Sequence, residues 1–259
     1  MLLTAGCSFV WGDELEGFDQ DPPTHWKLTW THLLAQKLNV NYVNRGVCGA
    51  GNDKIFREVT DYLHDPSKER PTHIVVMWSA FQRTEIAEYM PPDREVKIGR
   101  QDDVTQFSPL RTALIYDKRK RAVMEQWFAD AYDSRTDVMH TLTKMKTLEL
   151  ICEGMGIKLI QGFFHKRCWS NIMSILRNAN LDDGDNINMI NSSSMVYYKT
   201  WLMSSVKNLD VNSRIGAGKG KDLYTLAIEN EDLKPHGHPG EKTQPIFADI
   251  LYEKFIDMD

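Results

Sequence analysis

The chain opens with the stretch MLLTAGCSFVWGDEL, residues 1–15, in which an apolar run ends at a glycine and is followed by a serine. The run Met1 to Ala5 has the length of a buried strand, and Gly6 permits a tight turn directly after it. A serine in this place projects from the carboxyl edge of a sheet, where backbone N–H groups of the next turn can face an anion. The stretch therefore predicts a buried first strand, followed either by a reactive Ser8 or by a serine that only caps a helix.

The rest of the chain repeats such apolar runs in alternation with helical segments. The runs Val40 to Val43, Ile74 to Trp78 and Ile157 to Ile160 have the length and flanks of buried parallel strands. Apolar residues at helical spacing precede each of these runs, and a last amphipathic helix covers about residues 247–255. This alternation predicts an α/β fold of three layers, α/β/α, with a mostly parallel, doubly wound sheet.

The 259 residues are predicted to form a single domain over residues 1–259, interrupted by two insertions. The strand and helix rhythm breaks at about residues 84–135 and again at about residues 165–232. Ligands of open α/β sheets bind outside the carboxyl ends of the strands. We therefore expect both insertions to form walls or a lid over a site at that edge.

Composition and charge limit which kinds of partner and which cellular location we expect. A net charge of -5 argues against a surface that neutralises many phosphates, so no nucleic-acid partner is expected. No run of eighteen apolar residues is present, and the first residues do not have the form of a signal peptide, so no membrane partner is expected. The four cysteines show no CxxC spacing, which is typical of reduced thiols in the cytoplasm. No cofactor is predicted.

A glycine-rich segment, NRGVCGAGNDK at residues 44–54, follows the second run. Its three glycines let the backbone approach a ligand closely, and Asn52 or Asp53 can cap the following helix or, in the case of Asn52, bind substrate. The order of the glycines matches neither a Walker loop nor a dinucleotide fingerprint. The segment thus predicts either a binding loop or an ordinary helix start.

A second unusual segment, PHGHPG at residues 235–240, lies ahead of the last helix. His236 and His238 are two residues apart, and such a pair can share a metal ion. No carboxylate or cysteine cluster nearby completes a ligand set, so no metal site is predicted. A turn histidine without a chemical task stays open as an alternative.

These three segments resemble, in order and in chain position, sequence blocks of the SGNH (GDSL-like) hydrolase superfamily. Residues 6–8, Gly-Cys-Ser, look like its Gly-Asp-Ser block, with cysteine where aspartate is usual. Residues 44–49 resemble its second block, and residues 238–239, His-Pro, resemble its fifth. The resemblance implies a flavodoxin-like SGNH fold in which Ser8 is the nucleophile, His238 is the general base, and the N–H groups of Ser8 and Gly49 form the oxyanion hole.

The sequence departs from the family pattern at two blocks. The third block usually carries an asparagine that is absent from WSAFQR, residues 78–83. An oxyanion or substrate donor therefore comes from Ser79, Gln82 or Arg83, or is missing. The fifth block usually carries an aspartate three residues before the histidine, a position that is proline here. Asp232 and His236 remain as candidates for the group that orients His238. A dyad oriented by a backbone carbonyl is the other alternative.

The functional prediction is a serine esterase with a Ser-His(-Asp) mechanism, acting on a small-molecule or carbohydrate ester such as an O-acetylated sugar. Three alternatives stay open: a sugar O-acyltransferase, a binding or structural protein on an SGNH-like scaffold without turnover, and a metal-dependent phosphoesterase using His236 and His238. The long insertions are similar to those of SGNH-like proteins from bacteria and their phages. Association with a virion is therefore a second expected location beside the cytoplasm.

Overall fold

The computed structural model describes residues 1–21, 23–81, 83, 85–89, 105–109, 134–165, 168, 214–215 and 222–258. In chain order the strands are β1 (Leu2–Gly6), β2 (Tyr42–Gly46), β3 (His73–Trp78), β4 (Glu85–Tyr89), β5 (Thr105–Pro109), β6 (Lys158–Phe163) and β7 (Arg214–Ile215). The helices are α1 (Ser8–Trp11), α2 (Trp30–Leu38), α3 (Asn52–His64), α4 (Ser134–Met155), α5 (Leu223–Glu229) and α6 (Thr243–Ile256), with a 3-10 turn at His25–Leu28.

The main sheet has the strand order β2-β1-β3-β6-β7, and all its neighbouring strands are parallel. The chain leaves β1 toward β2 and then returns past β1 to reach β3, so the direction of winding reverses beside β1. In this register Gly6 pairs with Gly46 on one side and with Met77 on the other. Ligand sites of doubly wound sheets lie at such a reversal, outside the carboxyl ends of the strands.

Helices cover both faces of this sheet. Right-handed crossovers place α2 and α3 on opposite faces, because the two connections run in opposite directions across the sheet. Helix α2 packs against α6, and α3 packs against α4. Every residue of β1 is buried, as expected for a central strand that is covered twice. The predicted three-layer α/β fold with a parallel, doubly wound sheet is confirmed.

Some boundaries differ from the sequence prediction. The second strand begins at Tyr42 rather than at Val40, because α2 ends in a left-handed Asn39 with φ 51° and the Val40 N–H bonds back to Ala35. Neither expected insertion is irregular throughout. The first contains the antiparallel pair β4 and β5, and the second contains β7 and α5.

The single domain over residues 1–259 stays a prediction. Within the described residues, none of the helices combines the length and the apolar character needed to cross a membrane.

Candidate active site

Ser8 lies at the carboxyl end of β1, directly at the winding reversal. It is the first residue of the short helix α1 and is 5% exposed. The turn before it depends on Gly6, because an added Cβ would collide with the Val10 side chain and come within 2.8 Å of the Met77 carbonyl oxygen. The close packing of β1 on β3 and α1 thus fixes where the serine hydroxyl lies.

His238 lies on a narrow hairpin, residues 232–240, between α5 and α6. The Lys234 N–H donates to the His238 carbonyl at 2.8 Å, and the Gly240 N–H donates to the Asp232 carbonyl at 2.7 Å. These two cross-links hold the histidine backbone in a defined position although the segment has little regular structure. The hairpin reaches over the carboxyl edge of the sheet toward Ser8.

Three side chains form a continuous hydrogen-bonded line at this edge. His238 Nε2 is 2.8 Å from Ser8 Oγ, and His238 Nδ1 is 2.6 Å from Glu14 Oε2. The Glu14 carboxylate also accepts the His236 N–H at 3.1 Å and the His238 N–H at 3.4 Å. The carboxylate therefore holds both the imidazole ring and the hairpin backbone.

Glu14 is in an unusual backbone conformation. Its φ of 65° lies in the left-handed region, which residues other than glycine seldom adopt. Burial raises the pKa of its carboxyl, but hydrogen bonds from the His238 ring and from the backbone N–H groups of His236 and His238 bring it below the ordinary value. A strained, ionised carboxylate beside an imidazole is a feature that occurs at functional sites.

The structure corrects the predicted orienting group. The Asp232 carboxylate does not reach His238; it accepts the Thr243 N–H at 2.7 Å and the Thr243 hydroxyl at 2.8 Å, which joins the hairpin to the start of α6. The exposed His236 contributes its backbone N–H to Glu14 and makes no hydrogen bond to the His238 ring. The group that contacts His238 Nδ1 is the Glu14 carboxylate. In the structure, this carboxylate takes the place of the backbone carbonyl that the dyad alternative requires.

Glu14 is the residue that the sequence analysis missed. It lies 224 positions before His238, so no local motif near the histidine could indicate it. The available signal was its place six residues after Ser8, in a turn at the same edge of the sheet, where a carboxylate can reach a base that arrives from elsewhere in the chain.

A second carboxylate, Asp13, also lies beside the imidazole. Its Oδ2 is 3.6 Å from His238 Nε2, the ring nitrogen that contacts Ser8. Its Oδ1 accepts the Glu14 N–H at 3.1 Å. Burial, together with the Asp13 carboxylate, raises the pKa of the Cys48 thiol to about 12. A thiol with a raised pKa is a poor nucleophile near neutral pH.

Backbone N–H groups for an oxyanion are available at the same edge. Gly49, with φ 77°, lies in the turn after β2, and this turn is fixed to the end of β1 by the Val47 N–H, which donates to the Gly6 carbonyl at 3.0 Å. The N–H groups of Ser8 and Gly49 have no acceptor among the described residues. Both remain free to bind a ligand oxygen.

The Asn52 side chain has a structural task instead of the predicted binding role. Its Oδ1 accepts the Ser79 N–H at 2.8 Å, and its Nδ2 donates to the Ser79 carbonyl at 3.3 Å and to Thr141 Oγ1 at 3.0 Å. The buried amide therefore joins α3 to the end of β3 and to α4, and it has no donor left for a substrate. The Ser79 hydroxyl is buried and lacks a partner among the described residues.

Arg83 offers unused donors on the β3 side. Its Nη1 is buried and has no hydrogen-bond partner within the described part of the chain. The pKa of the Cys48 and Cys168 thiols is raised to about 12, mainly by burial, and the charge of Arg83 opposes both shifts. Gln82, the third residue predicted for this role, lies outside the described residues.

An aromatic wall borders the imidazole; we use this name for Phe9, Phe164, His165 and Tyr224. The Phe9 ring centre is 5.3 Å from that of His238 and 4.7 Å from that of Phe164. The rings of His165 and Tyr224 are 4.7 Å apart. The wall joins the end of β6 to the start of α5 and gives the site an apolar side.

Both ring nitrogens of His238 already face protein groups, so neither is open as a ligand. Across the described ranges, no three His, Cys, Asp or Glu side chains lie close enough together to hold an ion. A line of carboxylate, imidazole and hydroxyl is suited to nucleophilic attack by the serine.

A family model described as a family of unknown function (DUF6071) matches residues 18–197. The matched range begins after Ser8 and Glu14 and ends before His238. No curated protein matches the chain.

Several solved structures are distantly similar to the chain. A protein described as lipolytic and of the G-D-S-L family, from Desulfitobacterium hafniense DCB-2, has 12% identity and a TM-score of 0.44, with 98% of both chains covered. The psychrotrophic esterase EstA from Pseudoalteromonas sp. has 12% identity and a TM-score of 0.42, with 99% of this chain and 97% of that chain covered. A carbohydrate esterase has 11% identity and a TM-score of 0.44, with 99% of this chain and 64% of that chain covered. These similarities are too distant to indicate the substrate or mechanism of this chain.

Proposed function

We propose that the protein, which belongs to the DUF6071 family, cleaves carboxylic esters through a covalent intermediate on Ser8. The observation that carries this proposal is the line Glu14, His238, Ser8, with contacts of 2.6 and 2.8 Å. A serine hydroxyl is a weak nucleophile unless an adjacent base takes its proton, and that base acts best when a third group orients it. All three parts are in contact here.

In the first half of the reaction, Ser8 Oγ attacks the ester carbonyl while His238 Nε2 takes the hydroxyl proton. Glu14 accepts a hydrogen bond from Nδ1, so the neutral ring presents its unprotonated Nε2 to the serine. The carboxylate also stabilises the imidazolium that forms. The imidazolium then gives its proton to the leaving alcohol oxygen as the carbon-oxygen bond breaks.

In the second half, a water molecule takes the place of the alcohol. His238 accepts a proton from the water as its oxygen attacks the acyl carbon, and the same proton returns to Ser8 Oγ when the acid leaves. If a sugar hydroxyl takes the place of water, the same residues carry out acyl transfer. The proposal therefore includes O-acyltransferase activity as the near alternative.

The negative oxygen of each tetrahedral intermediate needs hydrogen-bond donors. We assign the N–H groups of Ser8 and Gly49 to this task, because both lack an acceptor among the described residues and follow paired strand ends. Arg83 is the proposed side-chain donor, in place of the asparagine of the third block, because its Nη1 is buried and unpartnered in the described part of the chain.

We further propose a carbohydrate O-acyl ester as the substrate. The aromatic wall supplies a partly buried apolar surface beside His238, against which the C–H face of a sugar ring can pack. A scaffold without turnover is the competing hypothesis.

Hydrolysis of p-nitrophenyl acetate tests the proposal. Ser8→Ala and His238→Ala should each lower kcat by on the order of a thousandfold or more, and the double variant should lose little more, because the two groups act as one unit. Asp249→Ala, which removes an exposed carboxylate paired with Lys37, is the control and should keep full activity. Full activity in the Ser8→Ala protein would show that this site is not the catalyst.

A further inference from the structure

Asp13 has no task in the line Glu14, His238, Ser8. Its Oδ2 lies 3.6 Å from His238 Nε2, whereas Glu14 lies on the opposite ring nitrogen. Asp13 has no ion pair with a lysine or arginine among the described residues. Its side chain is 23% exposed, so a small molecule in the site can reach it. A carboxylate that is not ion-paired with any lysine or arginine of the described residues thus lies next to the reacting serine.

A carboxylate at this position attracts the imidazolium that forms on His238, but it repels the negative charge of the intermediate. The tetrahedral intermediate develops negative charge on the substrate carbonyl oxygen, and a second negative charge nearby destabilises it. A substrate group that donates a hydrogen bond to Asp13 reduces this penalty. An anionic group in the same place increases it.

The position of Asp13 relative to Nε2 indicates which part of the substrate it faces. During bond cleavage Nε2 donates its proton to the leaving alcohol oxygen, so that oxygen must lie within hydrogen-bond distance of Nε2. Asp13 Oδ2 is 3.6 Å from the same nitrogen, slightly more than a hydrogen-bond distance. A hydroxyl on the carbon next to the leaving oxygen is therefore within reach of the carboxylate.

The carboxylate also has room for such a donor. The Glu14 N–H occupies one acceptor position of Asp13. An ionised carboxylate accepts about four hydrogen bonds in all, which leaves acceptor positions for a substrate hydroxyl.

We propose that Asp13 is a specificity-determining residue that accepts a hydrogen bond from the hydroxyl vicinal to the cleaved ester. The preferred substrates are then monoesters of 1,2-diols, the arrangement found in polyols and sugars, and esters with an anionic leaving alcohol are rejected. This inference rests on the proposed esterase function and adds to it the chemistry of the leaving group.

The test compares two esters that differ in one hydrogen-bond donor, 2-hydroxyethyl acetate and 2-methoxyethyl acetate. The wild-type protein should have a kcat/KM for the hydroxyl ester that is roughly tenfold to a hundredfold higher, the range for one hydrogen bond to a charged group. Asp13→Ala should bring this ratio close to one, and Asp13→Asn should give an intermediate ratio. The ratio is measured within one protein sample, so partial unfolding of a variant cancels. Asp249→Ala should keep the wild-type ratio.

Other outcomes overturn the inference. A ratio near one in the wild type means that no donor is recognised. An equal fall for both esters in Asp13→Ala, with a shifted pH profile, means that Asp13 acts only through His238. A preference for acetylcholine over both esters means that the carboxylate selects a cation. In each of these cases the proposed function stands if p-nitrophenyl acetate is cleaved in a Ser8-dependent manner; if it is not, both proposals fail.

Discussion

Replacement of Glu14 by glutamine should disable the site while keeping its shape. Glutamine is nearly the same size and can still accept the His236 and His238 backbone N–H groups that the carboxylate binds at 3.1 and 3.4 Å. It cannot supply a negative charge to the His238 ring, which lies 2.6 Å from the carboxylate. The variant therefore separates the charge from the packing.

The size of the effect follows from that contact. Charge centres about 4 Å apart near a protein surface attract by about 4 kcal/mol. Glutamine loses this stabilisation of the imidazolium, and a loss of about 4 kcal/mol in the transition state corresponds to roughly a thousandfold in kcat. The free energy of unfolding should fall by only about 1–2 kcal/mol, because one charge-assisted hydrogen bond becomes a neutral one.

The assay is steady-state hydrolysis of p-nitrophenyl acetate well below the thermal midpoint, with circular dichroism to verify the fold. Glu16→Gln, the same replacement at an exposed carboxylate two residues away, is the matched control and should keep wild-type kcat. A Glu14→Gln protein with kcat within a few-fold of wild type would refute the reasoning, because His238 would then need no carboxylate.

Three further predictions concern stability and the neighbouring cysteine. Because the pKa of Glu14 is held below its ordinary value of 4.5, the stability that its carboxylate contributes is complete above that value and is lost as the pH falls through the lowered pKa. In urea unfolding from about pH 6 to pH 3, the free energy of unfolding should therefore fall more steeply in wild type than in Glu14→Gln. Parallel curves would contradict this. Asp232→Ala should lower the free energy of unfolding by about 2–3 kcal/mol, because both hydrogen bonds to Thr243 are lost. Urea titration measures this change, and an unchanged midpoint would mean that the hairpin does not depend on these hydrogen bonds. Cys7→Ser should keep kcat on p-nitrophenyl acetate within a few-fold, because Cys7 is fully buried, and a collapse of turnover in folded protein would indicate a chemical role for the thiol.

The strands β1 and β3 were predictable because they are central and apolar. The run Met1 to Ala5 corresponds to β1, and Ile74 to Trp78 lies within β3; both have the continuous hydrophobicity of strands covered on two faces. The second strand was placed too early, since Val40 continues the end of α2 and the edge strand β2 is only partly buried. A short apolar run predicts that a buried strand is present more reliably than it predicts where an edge strand begins and ends.

The candidate site was only partly predictable. The positions of Ser8 and His238 follow from local sequence, a serine after a strand and a histidine before a helix, and the structure brings the two into contact. Their catalytic roles stay predictions. Glu14 could not be predicted from the sequence, because its contact with His238 depends on a left-handed turn and on a hairpin from the other end of the chain. Such a contact exists only in the folded protein.

Covalent labelling with a fluorophosphonate, followed by intact-mass and peptide mass spectrometry, tests most directly whether Ser8 is an activated nucleophile. We expect one adduct per chain, located on Ser8 and absent from Ser8→Ala. The adduct should form much more slowly in His238→Ala and Glu14→Gln, since the phosphorus centre is attacked only by a serine whose proton has been taken. Cys48 should remain unmodified, because its raised pKa makes the thiol a poor nucleophile. No adduct in folded wild-type protein, or an adduct that persists in Ser8→Ala, would contradict the claim that Ser8 is an activated nucleophile.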